Sequence, residues 1–297
     1  MVKGAIYVII AAALWGGGGV AGQYLYMHKV MGPFWLVMIR QLVAGFLFLA
    51  YAYFIDKENP WEVLKKEPWG MLTFSFLGVL GAQLGFYYTI SLCNAATATV
   101  LQYTAPALIL IWFMFREKRK PEVNEILGLL GAFIGVFLIA THGHLDALAI
   151  SPAALTVGLL SALSYAFYDI MPVNMLKRHS TATILGLGQF ISGASMLFFV
   201  NPFRLSSNWT PMAALAFAYL ILGATIASFA IYLQGLRLIG PVRASLISCA
   251  EPLSSILLVV MLLGVKLTLE DYFGMGCIIM TVILLSLPHT QKSSAKN

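Results

Sequence analysis

The stretch from Ala95 to Phe115, AATATVLQYTAPALILIWFMF, runs for 21 residues without a charge and carries a single proline, Pro106, near its middle. An α-helix of that length rises about 30 Å, the thickness of a bilayer's hydrocarbon core. Sliding the chain by 146 residues lays this stretch over 241–261, PVRASLISCAEPLSSILLVVM. Ala98 then meets Ala244, Thr99 meets Ser245 and Pro106 meets Pro252, with Glu251 directly before the second proline. A mid-helix proline repeated in register marks a duplicated membrane helix.

The register continues without a gap from about residue 90 to 140. It pairs Leu92 with Leu238, Lys120 with Lys266, Glu125 with Asp271, Gly128 with Gly274, Val136 with Val282 and Leu138 with Leu284. Nearer the start of each half the offset grows to about 149, which pairs Leu14 with Leu163 and Arg40 with Gln189. Apolar runs between charged or Pro/Asn-rich breaks place ten spans at about 4–26, 32–54, 69–92, 95–115, 124–141, 151–172, 182–200, 210–234, 242–263 and 270–287. Five spans is an odd number, so the second copy must lie upside down relative to the first. The fold expected is an all-α membrane protein of ten transmembrane helices, two inverted-topology five-helix repeats around a central cavity. The repeats cover 1–141 and 151–287, joined by the loop 142–150 and followed by a tail, 288–297.

Composition agrees with this reading. Of 297 residues 60% are apolar and only 10% charged, too few to clothe a soluble domain of this length. The net charge of +6 sits in short loops, so it reads as topology and not as a nucleic-acid surface. With the N-terminus inside, inside segments hold 14 of the 18 basic residues: Lys3, Lys57, Lys65, Lys66, Arg116, Lys118, Arg119, Lys120, Lys177, Arg178, Arg237, Arg243, Lys292 and Lys296. Outside segments hold Lys29, Arg204 and Lys266, and Arg40 falls within a span. The imbalance predicts a multi-pass protein of the plasma or inner membrane with both termini cytoplasmic. Lys3 and the small residues Gly19, Val20 and Ala21 resemble a signal peptide, but the apolar run continues to Tyr26 and has a counterpart in the second half, so it reads as a retained helix.

Leu14-Trp15-Gly16, Ile39-Arg40, Thr104-Ala105-Pro106, Ala250-Glu251-Pro252 and Leu262-Leu263-Gly264 before Leu267-Thr268 occur in an order that resembles the EamA-domain branch of the drug/metabolite transporter superfamily. The resemblance covers essentially the whole chain. It implies a basket in which spans 1–4 and 6–9 enclose a cavity while spans 5 and 10 lie outside. It also implies export or exchange of small solutes, often amino acids or related metabolites. Relatives often carry Gly-Glu after the fourth and ninth spans; here Arg116-Glu117 and Gly264-Val265 stand there, and the later acid is missing.

Ionisable groups inside spans mark candidate sites, since burying a charge in hydrocarbon costs at least a few kcal/mol. Arg40 lies roughly 12 Å below the outer face and Glu251 roughly 13 Å from the inner face, by helix rise. One reading gives Arg40 a substrate carboxylate and Glu251 an ammonium group or a coupling proton; the other has each cap backbone groups, or the two pair as a fixed strut. Asp169, just before Met171-Pro172, reads as a helix-end or interface residue. Pro106 and Pro252 are candidate hinges, each removing one helical hydrogen bond. Further substrate-binding candidates are Trp15, Gln83, Tyr88, Gln102, Tyr103 and Tyr165, within a wider lining of Gln23, Tyr87, Ser164, Tyr168, Gln189, Gln234 and Ser248. Gly16–Gly19 lacks the Lys and Ser/Thr of a phosphate loop and reads as a helix-packing stripe.

The reaction class expected is transport by a secondary carrier, with no enzyme activity, cofactor or metal; the partners are a small organic solute, the bilayer and a candidate coupling proton. Oligomeric state stays open, although ten helices suffice to enclose a cavity within one chain. A lipid-modifying membrane enzyme would need clustered acids, histidines or a nucleophile, and a pore would need a filter or rings of like charge. His142-Gly143-His144 lacks further ligands for a metal, and Cys93, Cys249 and Cys277 show no ligand or disulfide spacing. Trp61 and Trp69 read as interfacial belt residues, and Asn208-Trp209-Thr210 matches a glycosylation pattern.

Overall fold

The computed structural model describes residues 2–118, 123–143, 149–203, 208–239, 247 and 250–286. Among them there is no strand, and each predicted span contains helix, the ninth being described at 247 and from Ala250 onward. The first half holds α1 (Val2–Met27), α2 (Pro33–Phe54), the short α3 (Pro60–Lys66), α4 (Pro68–Thr73), α5 (Gly81–Leu92), α6 (Ala95–Gln102), α7 (Ala105–Glu117) and α8 (Val123–Thr141). The second holds α9 (Pro152–Ile170), α10 (Thr181–Met196), α11 (Pro211–Ala218), α12 (Ser228–Ile239), α13 (Ala250–Leu263) and α14 (Leu269–Ser286).

Helix starts follow local chemistry. Pro33, Pro60, Pro68, Pro152 and Pro211 occupy first-turn positions, where a missing N–H costs nothing. Asn94, Ser151, Ser180 and Thr210 each accept a hydrogen bond from the backbone N–H three residues on, capping α6, α9, α10 and α11.

Six helices among the described residues are long and apolar enough to cross a membrane: Val2–Met27, Pro33–Phe54, Pro68–Leu92, Ala95–Arg116, Pro152–Ile170 and Pro211–Tyr232. Glu125–Thr141 and Ala250–Leu263 are shorter apolar helices. The seventh expected span, 182–200, is regular only to Met196; backbone bonds from Leu197, Phe198 and Phe199 to residues three back continue it as tighter turns.

Two helices contain stretches that hydropathy did not announce. Phe74–Leu80, between α4 and α5, and Tyr219–Ala227, between α11 and α12, are wound as π-helix. The 146-residue slide lays 74–80 over 220–226, so both halves are widened at the same place. The hydroxyl of Thr225 donates to the carbonyl of Leu220, five residues back, as the wider turn allows.

Packing follows a regular scheme. α1 lies on α12 and α13, α9 lies on α5 and α6, α2 pairs with α10, α6 meets α13, and α8 pairs with α14. The Gly16–Gly19 stripe does pack helices closely: a Cβ on Gly16 would stand 2.7 Å from the Glu251 carbonyl oxygen. Gly45 does the same for α2 and α10, since its Cβ would lie 2.5 Å from the Phe190 nitrogen. Phe46, Phe115, Phe133, Phe198 and Met261 face outward on the apolar exterior, and Trp61 and Trp69 are exposed beside Pro60 and Pro68. His142 bonds Asp271 at 3.1 Å, joining the ends of α8 and α14. His144, Ser248, Cys249 and residues 119–122 lie outside the described residues, as does the tail beyond Ser286.

Candidate functional site

Between the helices lies a cavity of about 300 Å³. Its walls come from α1 (Trp15), α2 (Arg40), α5 (Gln83, Phe86, Tyr87), the α6–α7 junction (Gln102, Tyr103), α9 (Tyr165, Tyr168, Asp169), α12 (Phe229, Tyr232) and α13 (Glu251). Pro172, Leu176 and Thr181 also line it, so it reaches the end of the bundle that carries the α9–α10 connection and the N-terminus of α1. Toward the opposite end, Val20, Leu25, Leu36, Met38, Ile90 and Ala95 pack into a buried apolar plug.

Arg40 is nearly buried. Its guanidinium donates to Gln83 Oε1 at 2.8 Å and lies 4.9 Å from the centre of the Tyr87 ring. Among the described residues no ion pair joins it to Glu251. Glu251 Oε2 instead accepts from the Tyr103 hydroxyl at 2.8 Å.

The geometry around Tyr103 follows from Pro106. A proline there has no N–H for the carbonyl of Gln102, so the fourth span breaks at Tyr103–Thr104 and restarts as α7 with Pro106 in its first turn. The break turns Tyr103 toward the start of α13, where Glu251 and Pro252 lie in the first turn. Thr99 and Ser255, one turn to either side, add a hydroxyl contact at 3.3 Å. Gln102 is anchored as well as exposed to the cavity, since its amide donates to Ser161 Oγ at 2.8 Å and to the Ala82 carbonyl at 3.1 Å.

Aromatic rings form the remaining walls. Tyr165 and Tyr168 stack at 5.9 Å with their planes 5° apart, and Phe74 stacks on Tyr168 at 5.4 Å. Across from them Trp15 contacts Phe229 at 5.3 Å and Tyr232 at 5.1 Å.

The structure thus brings Trp15, Arg40, Gln83, Gln102, Tyr103, Tyr165 and Glu251 to one cavity. Tyr88 stands apart: it packs on Phe34 at 5.6 Å, toward the plugged end. Gln23 is a structural cap, its side-chain oxygen accepting from the Ala95 N–H at 2.7 Å. Ser164 packs against Gly81, Gln189 is buried within α10, Gln234 is exposed, and none of the three lines the cavity. Asp169, expected as a helix-end residue, is the penultimate residue of α9 and also part of the cavity wall. Phe74, Phe229 and Tyr232 line the cavity too, although nothing in the sequence singles them out from other aromatic residues in spans. Among the described residues no three His, Cys, Asp or Glu side chains cluster as metal ligands.

At the open end, Glu58 ties the α2–α3 loop to the start of α10. It accepts from Ser180 N at 2.9 Å and from the Thr183 hydroxyl, and contacts His179 Nδ1 at 2.7 Å. Partial burial works against the carboxylate, but these hydrogen bonds outweigh it and hold Glu58 below the ordinary glutamate value. Arg178 and Glu67 form a second link there at 2.6 Å.

Comparison with known proteins adds an independent line. The model of the EamA-like transporter family matches the chain twice, over residues 2–141 and 152–287. An uncharacterized inner membrane transporter of Salmonella typhimurium, YicL, is 39% identical over 99% of this chain and 98% of its own length. The riboflavin transporter ImpX of Fusobacterium nucleatum is 24% identical, over 86% and 88%. A crystal structure superposes with a TM-score of 0.62 at 17% identity, covering 96% of both chains, which shows a shared fold.

Proposed function

The chain belongs to the EamA-like transporter family, and from that premise we propose that it is a secondary carrier moving small organic solutes by alternating access. It is a multi-pass membrane protein whose relatives are named transporters. The observation that carries the reading is the central cavity, plugged at one end and walled by side chains from both family-model matches, with the two proline-marked helices meeting through Tyr103 and Glu251.

Ten spans in two inverted repeats account for the packing. In the 146-residue register α13 lies over 104–117, the stretch of α7, so exchanging the halves maps α1 on α12 and α13 onto α9 on α5 and α7, and returns the α2–α10 and α8–α14 pairs to themselves. The recurring π-helical stretches support the same reading. With the N-terminus cytoplasmic, the cavity opens inward, and rocking one half against the other would expose it to the far side.

The cargo class is amine-bearing metabolites such as amino acids and their relatives, moved by export or exchange. The aromatic walls suit a planar group, in keeping with the name of the riboflavin-transporting relative. Glu251 is assigned the ammonium group or a coupling proton, Arg40 holds the cavity wall through Gln83 and Tyr87, and Pro106 and Pro252 act as hinges. Counterflow in proteoliposomes tests the carrier reading. Saturable accumulation of a labelled solute, driven by unlabelled solute inside, supports it. Product formation without net movement would point to an enzyme, and non-saturating conductance to a pore.

A further inference from the structure

Three charged side chains line the cavity, and their state is uneven. Arg40 is committed to Gln83 and the Tyr87 ring, and Glu251 accepts from Tyr103. Asp169 has no hydrogen bond or ion pair among the described residues; it stands exposed at the cavity mouth, within the α9 turn that also bears Tyr165 and Tyr168. An unpaired carboxylate at the mouth of a low-dielectric cavity focuses negative potential there and draws in a cation. Two carboxylates against one already engaged guanidinium leave the cavity with a formal excess of negative charge.

The rings decide what kind of cation fits. A hard metal ion needs six or more oxygens at short range. Here the Tyr165–Tyr168 stack and the Trp15–Tyr232 contact present π faces instead. Such faces attract ammonium groups and pack against flat apolar bodies. The volume of about 300 Å³ lies at the small end of ligand sites.

We propose that this cavity selects small aromatic amines of net positive charge, with Asp169 receiving the ammonium group and the Tyr165–Tyr168 and Trp15–Tyr232 pairs flanking the ring. The inference rests on the carrier reading but narrows it: within the amine-bearing class it favours amines without a carboxylate over amino acids, and it gives the ammonium group to Asp169, leaving Glu251 the coupling proton. The ammonium group is what the site recognises, and a carboxylate on the cargo weakens binding because Arg40 is already engaged.

Four matched solutes separate the possibilities: phenethylamine, phenylalanine, phenylacetate and butylamine. Binding to the purified full chain is measured by titration calorimetry, and counterflow is measured on the same preparation. Phenethylamine is expected to bind at least tenfold more tightly than phenylalanine or butylamine, with phenylacetate not competing. Asp169→Asn is expected to weaken phenethylamine at least tenfold, and Asp169→Glu to restore most of it, at an unchanged melting temperature. Equal or tighter binding of phenylalanine or phenylacetate overturns the proposal. So does an Asp169→Asn protein that melts normally and keeps full affinity for the amine, or a folded wild type that fails to bind phenethylamine at millimolar concentration. Amine binding without counterflow of any solute would leave this site standing while removing the carrier reading; saturable counterflow of an anion or zwitterion with no amine binding would do the reverse.

Discussion

The Tyr103 hydroxyl donates to Glu251 at 2.8 Å across the two halves of the chain, and each residue lies within three positions of a proline that opens a helix. A hydrogen bond to a carboxylate contributes roughly 1.5–3 kcal/mol, more than an ordinary neutral one. It is also the bond that must lengthen if α7 and α13 move relative to each other. Tyr103→Phe is therefore expected to change counterflow at saturating solute by about tenfold, the equivalent of about 1.4 kcal/mol. The melting temperature should fall by only a few degrees.

Glu251→Gln keeps the shape and a hydrogen-bond acceptor but removes the proton exchange. On the proposed coupling role, solute-for-solute exchange persists in this variant while uptake driven by a pH gradient is lost. Full flux with an intact response to the gradient would remove Glu251 from coupling.

Arg40 is held by an amide on one side and a ring face on the other, a geometry that a planar guanidinium satisfies and an ammonium does not. Arg40→Lys should thus be nearly as harmful as Arg40→Gln. Loss of the contact to Tyr87, on the order of 0.5–2 kcal/mol, predicts a several-fold weaker half-saturation in counterflow assays.

Glu58 gives the open end a pH-dependent tie. Because its carboxylate is held below the ordinary value, its stabilisation is fully present above the normal glutamate range near pH 4.3 and is lost as the pH falls through the lower folded value. Glu58→Ala is expected to lower the melting temperature by about 2–4 °C at neutral pH, the size expected for loss of one cap worth about 1 kcal/mol. The difference from wild type should vanish in strong acid, as thermal melts across pH 3–7 can show.

Gly16→Ala places a methyl group where only 2.7 Å separates it from the Glu251 carbonyl oxygen. Overpacking of this kind costs roughly 1–3 kcal/mol. It should lower thermal stability and reduce flux together, because it pushes α1 from the helix that carries Glu251.

Helix positions were legible because hydropathy and span length report burial in lipid directly. The break at Tyr103–Thr104 was legible because Pro106 has a fixed chemical consequence. Facing was less so. Tyr87 and Tyr88 are neighbours about 100° apart on a helix, so one lines the cavity and the other packs on Phe34, and nothing in their identity says which. Gln23 shows a related ambiguity, since a polar side chain inside a span serves equally well as a cap or as a cavity wall. The π-helical stretches carry no composition signal, and their widening at Phe74–Leu80 and Tyr219–Ala227 shows only in three dimensions. Asp169 looks terminal in the chain because a proline follows closely, yet the end of its helix is also the cavity mouth.

Alternating access is the central claim, and thiol accessibility at a cavity residue tests it most directly. A single cysteine at Phe229→Cys, with Cys93, Cys249 and Cys277 replaced, would be labelled with a membrane-impermeant maleimide from each side of oriented proteoliposomes. The account predicts reaction from the N-terminal side in the resting protein, reaction from both sides during exchange, and a shift between them when solute is supplied to one side. Reaction confined to one side under every solute condition would contradict it.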